Sequence, residues 1–336
     1  MHYLVTGAAG FIGFHTCRRL LADGHRVTGL DNLSDYYPVD LKQARLEMLE
    51  CDDTFSFRRV DISDTHEVKT LFEETRPDIV VHLAAQAGVR YSVKNPFEYL
   101  NSNLAGFLSV IEACRAIRPK HFLFASTSSV YGANTQTPHK EVHRTDHPLS
   151  LYAATKKSNE AIAHAYAHLY GIPCSGLRFF TAYGPWGRPD MAYYKFTEAI
   201  IRGTPIDLYN DGCMFRDFTY IDDIVDGVTK LAVIPAHCNR IWDSEHPASG
   251  TSGVAAFEAY NIGNRQAISL LDFIDVLENI IDKKAVRNTM PMQPGDVHMT
   301  SADTSKLESV TGFKPNTDLR AGLSRFVDWY RDYHGV

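Results

Sequence analysis

Apolar and polar positions along the first half of the chain switch between two periods. Short runs rich in β-branched and aromatic residues at 3–6, 26–30, 55–61, 78–83, 121–125 and 172–180 read as strands. Between them lie stretches with helical spacing: 11–22, a long polar one from Leu41, one around Val68, Leu71 and Phe72, then 104–117 and 153–170. In the last of these Ala161, Ile162, Ala165 and Leu169 recur at helical intervals, and Gly171 and Pro173 supply the stop. Short connections between apolar strands predict a parallel, doubly wound sheet covered by helices on both faces. The rhythm breaks where Gly184, Pro185, Gly187 and Pro189 cluster, so a smaller C-terminal α/β part begins nearby. Residues 236–256, rich in Ser, Gly, His and Pro, predict a surface loop.

Composition narrows the class. The 336 residues are 44% hydrophobic and 22% charged, which excludes disordered and fibrous chains. A net charge of -6 gives no overall basic field, so neither nucleic acid nor an anionic membrane is an expected partner. The amino terminus enters a strand directly, without the pattern of a signal peptide, and no apolar run approaches a membrane span. Six cysteines, at 17, 51, 114, 174, 213 and 238, show no CxxC or metal spacing and read as reduced thiols of a cytoplasmic protein. Fifteen histidines raise the question of a metal, but His139, His143 and His147 lie among prolines without helical pairing, and no metal is expected.

The chemistry starts at the first strand–helix junction. Gly7, Gly10 and Gly13, with Phe11 and Ile12 between them, stand where backbone must approach a pyrophosphate and a helix amino terminus offers free N–H groups. Asp31, followed by Asn32, closes the second strand, where an acid binds ribose hydroxyls and repels a ribose phosphate. The cofactor is therefore NAD rather than NADP. By position, Asp61 and Ile62 end the third strand and Leu83, Ala84 and Ala85 the fourth, so all five are cofactor-binding candidates in a Rossmann-type domain. Asp61 keeps a second reading, as the helix cap before Ser63.

Tyr152 and Lys156 stand four residues apart on one helix face, where the ammonium can favour the phenolate and make tyrosine a usable base. They follow a hydroxyl run, Ser126-Thr127-Ser128-Ser129-Val130-Tyr131-Gly132, at the end of the fifth strand, where hydroxyls can bond a reacting sugar oxygen.

Together the glycine pattern, this run and Tyr152-x-x-x-Lys156 resemble the extended short-chain dehydrogenase/reductases that modify nucleotide sugars. The segments around Arg90, Tyr152, Arg178 to Met191 and Pro291 to Asp296 are similar to UDP-glucuronate 4-epimerases. The resemblance implies a fold with residues 1–180 as the NAD-binding domain and 181–336 mainly as the UDP-sugar domain, part of about 215–264 returning to the first. It implies that Tyr152 takes the proton of the sugar 4-hydroxyl, that Thr127 bonds the 4-oxygen and that Lys156 also holds the nicotinamide ribose. The hydride leaves carbon 4, and the 4-keto sugar turns about its diphosphate link and is reduced on its other face. Ala182 departs from the valine expected there.

Related dehydratases and decarboxylases carry acids where this chain has Ser128 and Ser129, which argues for simple epimerisation. A carboxylate on carbon 5 needs several donors, and Ser128, Ser129, Thr181 and Arg188 are candidates. Arg188 can instead pair only with Asp190, and Thr181 can cap a turn. A neutral UDP-hexose or UDP-N-acetylhexosamine is the alternative substrate, and a UDP-glucuronate decarboxylase the alternative reaction. By resemblance Arg216 meets the diphosphate and Asp296 the uridine ribose, while Lys195 and Arg90 are further basic candidates or surface charges. Arg90 could also guard the carboxylate. A homodimer formed through the helices near 104–116 and 153–170 is implied by resemblance.

Overall fold

The structure is a computed structural model and describes every residue except Pro294. Its first half runs β1 (His2–Thr6), α1 (Phe11–Ala22), β2 (Arg26–Asp31), α2 (Val39–Glu50), β3 (Phe55–Arg59), α3 (Thr65–Thr75), β4 (Ile79–His82), α4 (Val89–Lys94) and α5 (Pro96–Tyr99). A wide π-helical turn at Leu100–Ala105 leads into α6 (Gly106–Ile117), followed by β5 (His121–Thr127), a single 3-10 turn at Ser128–Tyr131, α7 (Leu151–Tyr170) and β6 (Cys174–Phe179). The second half adds β7 (Thr181–Tyr183), α8 (Ala192–Arg202), β8 (Pro205–Tyr209), β9 (Phe215–Tyr220), α9 (Ile221–Ala232), β10 (Phe257–Ile262), β11 (Ala267–Ser269), α10 (Leu270–Ile281), β12 (Val286–Met290), α11 (Ser305–Thr311) and α12 (Leu319–His334).

Seven parallel strands form one sheet in the order β10-β6-β5-β4-β1-β2-β3. Buried strands point successive side chains to opposite faces, and the core divides accordingly. Tyr3, Val5, Ile79, Val81, Leu123 and Leu177 pack with Phe14 and Cys17 of α1 and Ile224 and Val228 of α9. Leu4, Val80, Phe122 and Phe124 pack on the other side with Phe72 of α3, Val110 of α6 and Ala163 of α7. This is the doubly wound Rossmann arrangement. The chain returns to it late: β10 pairs with β6, and α9 covers α1, so the sheet and its cover draw on residues beyond 220.

The smaller part has a three-stranded sheet, β11-β9-β7, and a parallel pair of β12 with β8. Its core is aromatic, joining Tyr193, Phe218, Phe273 and Phe326. The loop at 236–256 runs over the surface and is tied to the large part where the His164 ring meets the Ser252 hydroxyl at 2.9 Å. The sheet order reverses between β1 and β4, and the crevice at the carboxyl ends of these strands is where such sheets bind ligands.

Candidate active site

That crevice is a continuous cleft of about 530 Å³. Its floor at one end is the glycine turn. Gly7 has φ +72°, and a Cβ there would stand 2.8 Å from the Ala84 nitrogen; one on Gly13 would stand 2.0 Å from the Gly7 carbonyl oxygen. The turn therefore presents bare backbone to the cleft, the cradle a dinucleotide diphosphate requires. Phe11, Ile12, Asp31, Asn32, Asp61, Ile62, Leu83, Ala84 and Ala85 line the same space.

Asp31 accepts the Ala9 N–H at 3.2 Å and the Leu33 N–H at 2.9 Å, which fixes the carboxylate at the end of β2. Asp61 accepts from the Ser63 backbone and hydroxyl and from the Asn32 amide at 2.8 Å. It closes a local turn; Asp64, with bonds from His66 and Glu67, caps α3. Lys42 and Tyr36 also line the cleft, and sequence reasoning missed both. Lys42 donates to the Ser34 carbonyl at 2.8 Å and hydroxyl at 3.0 Å. The available signal was an inversion in α2: polar Lys42 and Arg45 share its buried face with Leu41, Leu46 and Leu49.

At the centre of the cleft stand Thr127, Tyr152 and Lys156. Ser150 caps α7 by accepting the Ala153 N–H at 3.1 Å, which starts the helix so that Tyr152 lies in its first turn and Lys156 one turn on. Burial pushes the Tyr152 phenol up, while its hydrogen bond with Thr127 and the charge of Arg188 pull it down. Lys156 donates to the Ala125 carbonyl at 2.9 Å, and burial pulls its ammonium down to about 7. The net effect on the phenol is upward, with the Arg188 charge, from a different segment, opposing the burial.

Buried polar groups hold these parts in register. Glu160, one further turn along α7, accepts the Ser126 hydroxyl at 2.6 Å and two bonds from Arg178 at 2.9 Å each. Asn103, in the π-helical turn, bonds Gln86 through both main-chain groups and donates to Thr155 at 3.1 Å. So β5, the 84–88 segment and α7 are fixed to one another by side chains that the linear pattern does not connect.

Ser128, Ser129, Thr181 and Arg188 line the cleft beside Thr127. Arg188 also pairs with Asp190, through Nε at 2.9 Å and Nη2 at 2.6 Å, and Tyr36 donates to the same carboxylate at 3.2 Å. Arg90, Lys195, Arg216 and Asp296 stand outside the lining of this cleft. Arg90 pairs with Asp296 at 2.8 Å and lies 4.1 Å from the Tyr209 ring centre. Arg216, on β9, donates to the carbonyls of Phe215 and His298, and Lys195 is exposed on α8. Pro294, within the Gln293 to Asp296 run, lies outside the described residues. Among the described residues no group of three or more His, Cys, Asp or Glu is placed to hold a metal, and no helix is long and apolar enough to cross a membrane.

A dinucleotide cradle joined to a Thr-Tyr-Lys centre agrees with the family model that matches residues 3–240, the NAD dependent epimerase/dehydratase family. The chain belongs to this family. Among its relatives, a probable UDP-glucuronate 4-epimerase of Rhizobium meliloti is 47% identical, with 98% of this chain and 97% of that protein aligned. A crystal structure of a UDP-glucuronic acid 4-epimerase from Bacillus cereus, in complex with UDP-glucuronic acid and NAD, superposes with a TM-score of 0.88 at 36% identity, over 99% of this chain and 100% of that one. A UDP-glucose 4-epimerase from Thermotoga maritima reaches 0.85 at 30% identity, over 99% and 100%. Since both superpose well, the backbone of an epimerase of this family does not by itself choose the sugar.

Proposed function

We propose that the chain interconverts UDP-glucuronic acid and UDP-galacturonic acid by epimerisation at carbon 4, with NAD as its resident cofactor. The observation that carries the reading is the meeting, in one cleft, of Thr127, Tyr152 and Lys156 with four donors from two segments: Ser128, Ser129, Thr181 and Arg188. Two further findings support it: the UDP-glucuronate relatives match the chain over nearly its whole length, and the three carboxylates lining the cleft lie elsewhere, on Asp31, Asp61 and Glu98. No acid therefore stands on the Thr127–Ser129 or Thr181–Arg188 segments to abstract a carbon-bound proton or protonate a leaving hydroxyl, as dehydration would need.

In this reading Gly7, Gly10 and Gly13 seat the diphosphate of NAD, Asp31 takes the adenosine ribose hydroxyls, Asp61 and Ile62 flank the adenine, and Lys156 holds the nicotinamide ribose. Bound NAD supplies the acceptor, and then the donor, of the hydride at carbon 4. Tyr152 removes the proton of the 4-hydroxyl while Thr127 holds the oxygen, which leaves a 4-keto sugar. The sugar turns about its diphosphate link, and Tyr152 returns the proton to the 4-oxygen once the opposite face is reduced. Ser128, Ser129, Thr181 and Arg188 hold the carboxylate in the ring plane, which keeps the β-keto acid from losing carbon dioxide. Arg216 takes the UDP diphosphate and Asp296 the uridine ribose, with Arg90 and Lys195 as flanking cations.

Residues 1–180 with the returning part of about 215–264 form the cofactor domain in this reading, and the rest of 181–336 covers the UDP-sugar. Exposed Val93, Phe97, Leu108 and Leu169 on α4 to α7 support a homodimer packed through those helices, and six free thiols suit a reducing, cytoplasmic setting.

The test is to incubate the protein, without added NAD, with UDP-glucuronic acid and with UDP-glucose separately, and to resolve the products by proton NMR. UDP-galacturonic acid from the first alone supports the reading. Turnover of UDP-glucose only would overturn the carboxylate pocket, and a UDP-pentose would overturn epimerisation. Thr181→Ala and Arg188→Ala are expected to lower the rate or the purity of the product; no change in either would remove the in-plane hold.

A further inference from the structure

Arg45 is fully buried in α2 and does not line the cleft, yet it touches three of the segments that do or that lead into it. Its Nη1 donates to the Ala9 carbonyl of the glycine turn at 2.7 Å and to the Tyr37 hydroxyl at 2.9 Å. Its Nη2 donates to the carbonyls of Trp186 at 2.6 Å and Gly187 at 3.2 Å. Each of these four contacts continues into the site. Ala9 lies between Gly7 and Gly10, Tyr37 follows the Tyr36 that bonds Asp190, and Gly187 precedes Arg188.

We propose that Arg45 is a positioning residue that couples cofactor occupancy to the placement of Arg188 at the sugar end of the cleft. Two physical features argue for this. All four partners of this buried cation are neutral oxygens, so the guanidinium is desolvated without a countercharge at contact distance. A dinucleotide diphosphate seated on the other side of the glycine turn brings negative charge to that place, so the charge of Arg45 favours the loaded state. The backbone it holds also does not hold itself. Trp186 has φ +60°, a conformation that a bulky residue keeps only when its surroundings enforce it, and Arg45 binds the Trp186 carbonyl and the one that follows it. Releasing Arg45 frees Trp186 and Gly187, and with them the start of the segment that carries Arg188. Coupling between two ligand sites is reciprocal, so sugar binding tightens NAD retention by the same factor.

The sugar half of this proposal rests on the UDP-glucuronate reading; the cofactor half does not. The experiment compares Arg45→Met and Arg45→Lys with the parent protein. It measures NAD per chain after gel filtration, the Kd for NAD by intrinsic fluorescence, and KM and kcat for UDP-glucuronic acid at saturating NAD. For Arg45→Met we expect loss of NAD on the column, a Kd weakened by about tenfold or more, and a raised KM with kcat kept within about threefold. Arg45→Lys keeps the charge but cannot span Ala9 and Trp186, and should fall between the two. Should the Met variant not fold, the Lys variant decides on the same readings. Variants with parental NAD retention and KM, changed only in melting temperature, would make Arg45 structural and overturn the proposal. If UDP-glucuronic acid is not turned over at all, the substrate reading fails while the NAD retention still tests Arg45.

Discussion

Replacing Glu160 by Gln should unsettle the protein more than any exposed charge substitution. Arg178 is fully buried and gives Glu160 two hydrogen bonds at 2.9 Å, and Ser126 gives it a third at 2.6 Å. Glutamine keeps the shape and one acceptor oxygen but strips Arg178 of its countercharge, leaving it only neutral partners: that oxygen, the Tyr131 hydroxyl and the Glu141 carbonyl. Breaking one side of a buried pair costs about 3–5 kcal/mol. With an unfolding entropy of about 2.1 cal/mol/K per residue, the chain gives about 0.7 kcal/mol/K, so Tm should fall by about 4–7 °C. The pH dependence follows from the same contacts. Burial alone would lift the Glu160 carboxyl, but the Arg178 charge with its hydrogen bonds, and the Ser126 bond, outweigh it and hold the carboxyl below its ordinary value. A carboxyl depressed on folding adds stability above its unfolded pKa and loses it as the pH falls through the folded one. The gap between parent and Glu160→Gln should therefore be widest at neutral pH and narrow progressively below about 4.5. Calorimetry of both proteins from pH 3 to 7 measures this. A gap under about 1 kcal/mol at pH 7, or one that grows in acid, refutes the reasoning, since either means that the pair does not compensate Arg178.

The catalytic centre and the cradle give further expectations. Tyr152→Phe removes the phenol that bonds Thr127 and should lower kcat by about 10²–10⁴-fold with NAD still bound, read by NMR turnover and by absorbance. Lys156 is depressed on folding, so in NAD-free protein its buried charge costs stability below about 7 and that cost disappears as the pH rises toward its ordinary value. Lys156→Met should thus be more stable than the parent at pH 6.5 and lose most of that advantage by pH 9.5 in urea titrations; a constant difference would contradict the assignment. Gly13→Ala puts a methyl 2.0 Å from the Gly7 oxygen, and should yield protein without NAD, visible as a lowered absorbance at 260 nm relative to 280 nm.

Much of the architecture is local in origin and so legible in the chain. Six β-branched or aromatic strands with helical spacers can bury both faces only as a parallel sheet between helices, and the strands predicted at 3–6, 26–30 and 121–125 recur in β1, β2 and β5. The glycine turn is only partly local: Gly13 is barred from a side chain by the Gly7 carbonyl six residues back, whereas the crowding at Gly7 comes from Leu83 and Ala84 on a neighbouring segment. Tyr152 and Lys156 share a helix face by spacing alone. What the tertiary structure decided is which distant groups meet. Lys42 and Arg45 sit in a helix whose polar sequence reads as solvated, and only the packing of α2 against the glycine turn and the 186–188 segment turns them inward. Arg178 and Glu160 lie on different elements, so no periodicity pairs them. The charge of Arg188, 36 residues on, bears on the Tyr152 phenol, and Lys156 reaches the Ala125 carbonyl of β5; neither contact follows from helix spacing. The return of β10 to the edge beside β6, and of α9 to cover α1, is likewise fixed by apolar surface left open on the sheet. Short-range sterics and periodicity act within a few residues and leave their mark in the sequence, whereas the partners of buried charges are set by which surfaces the fold brings into contact.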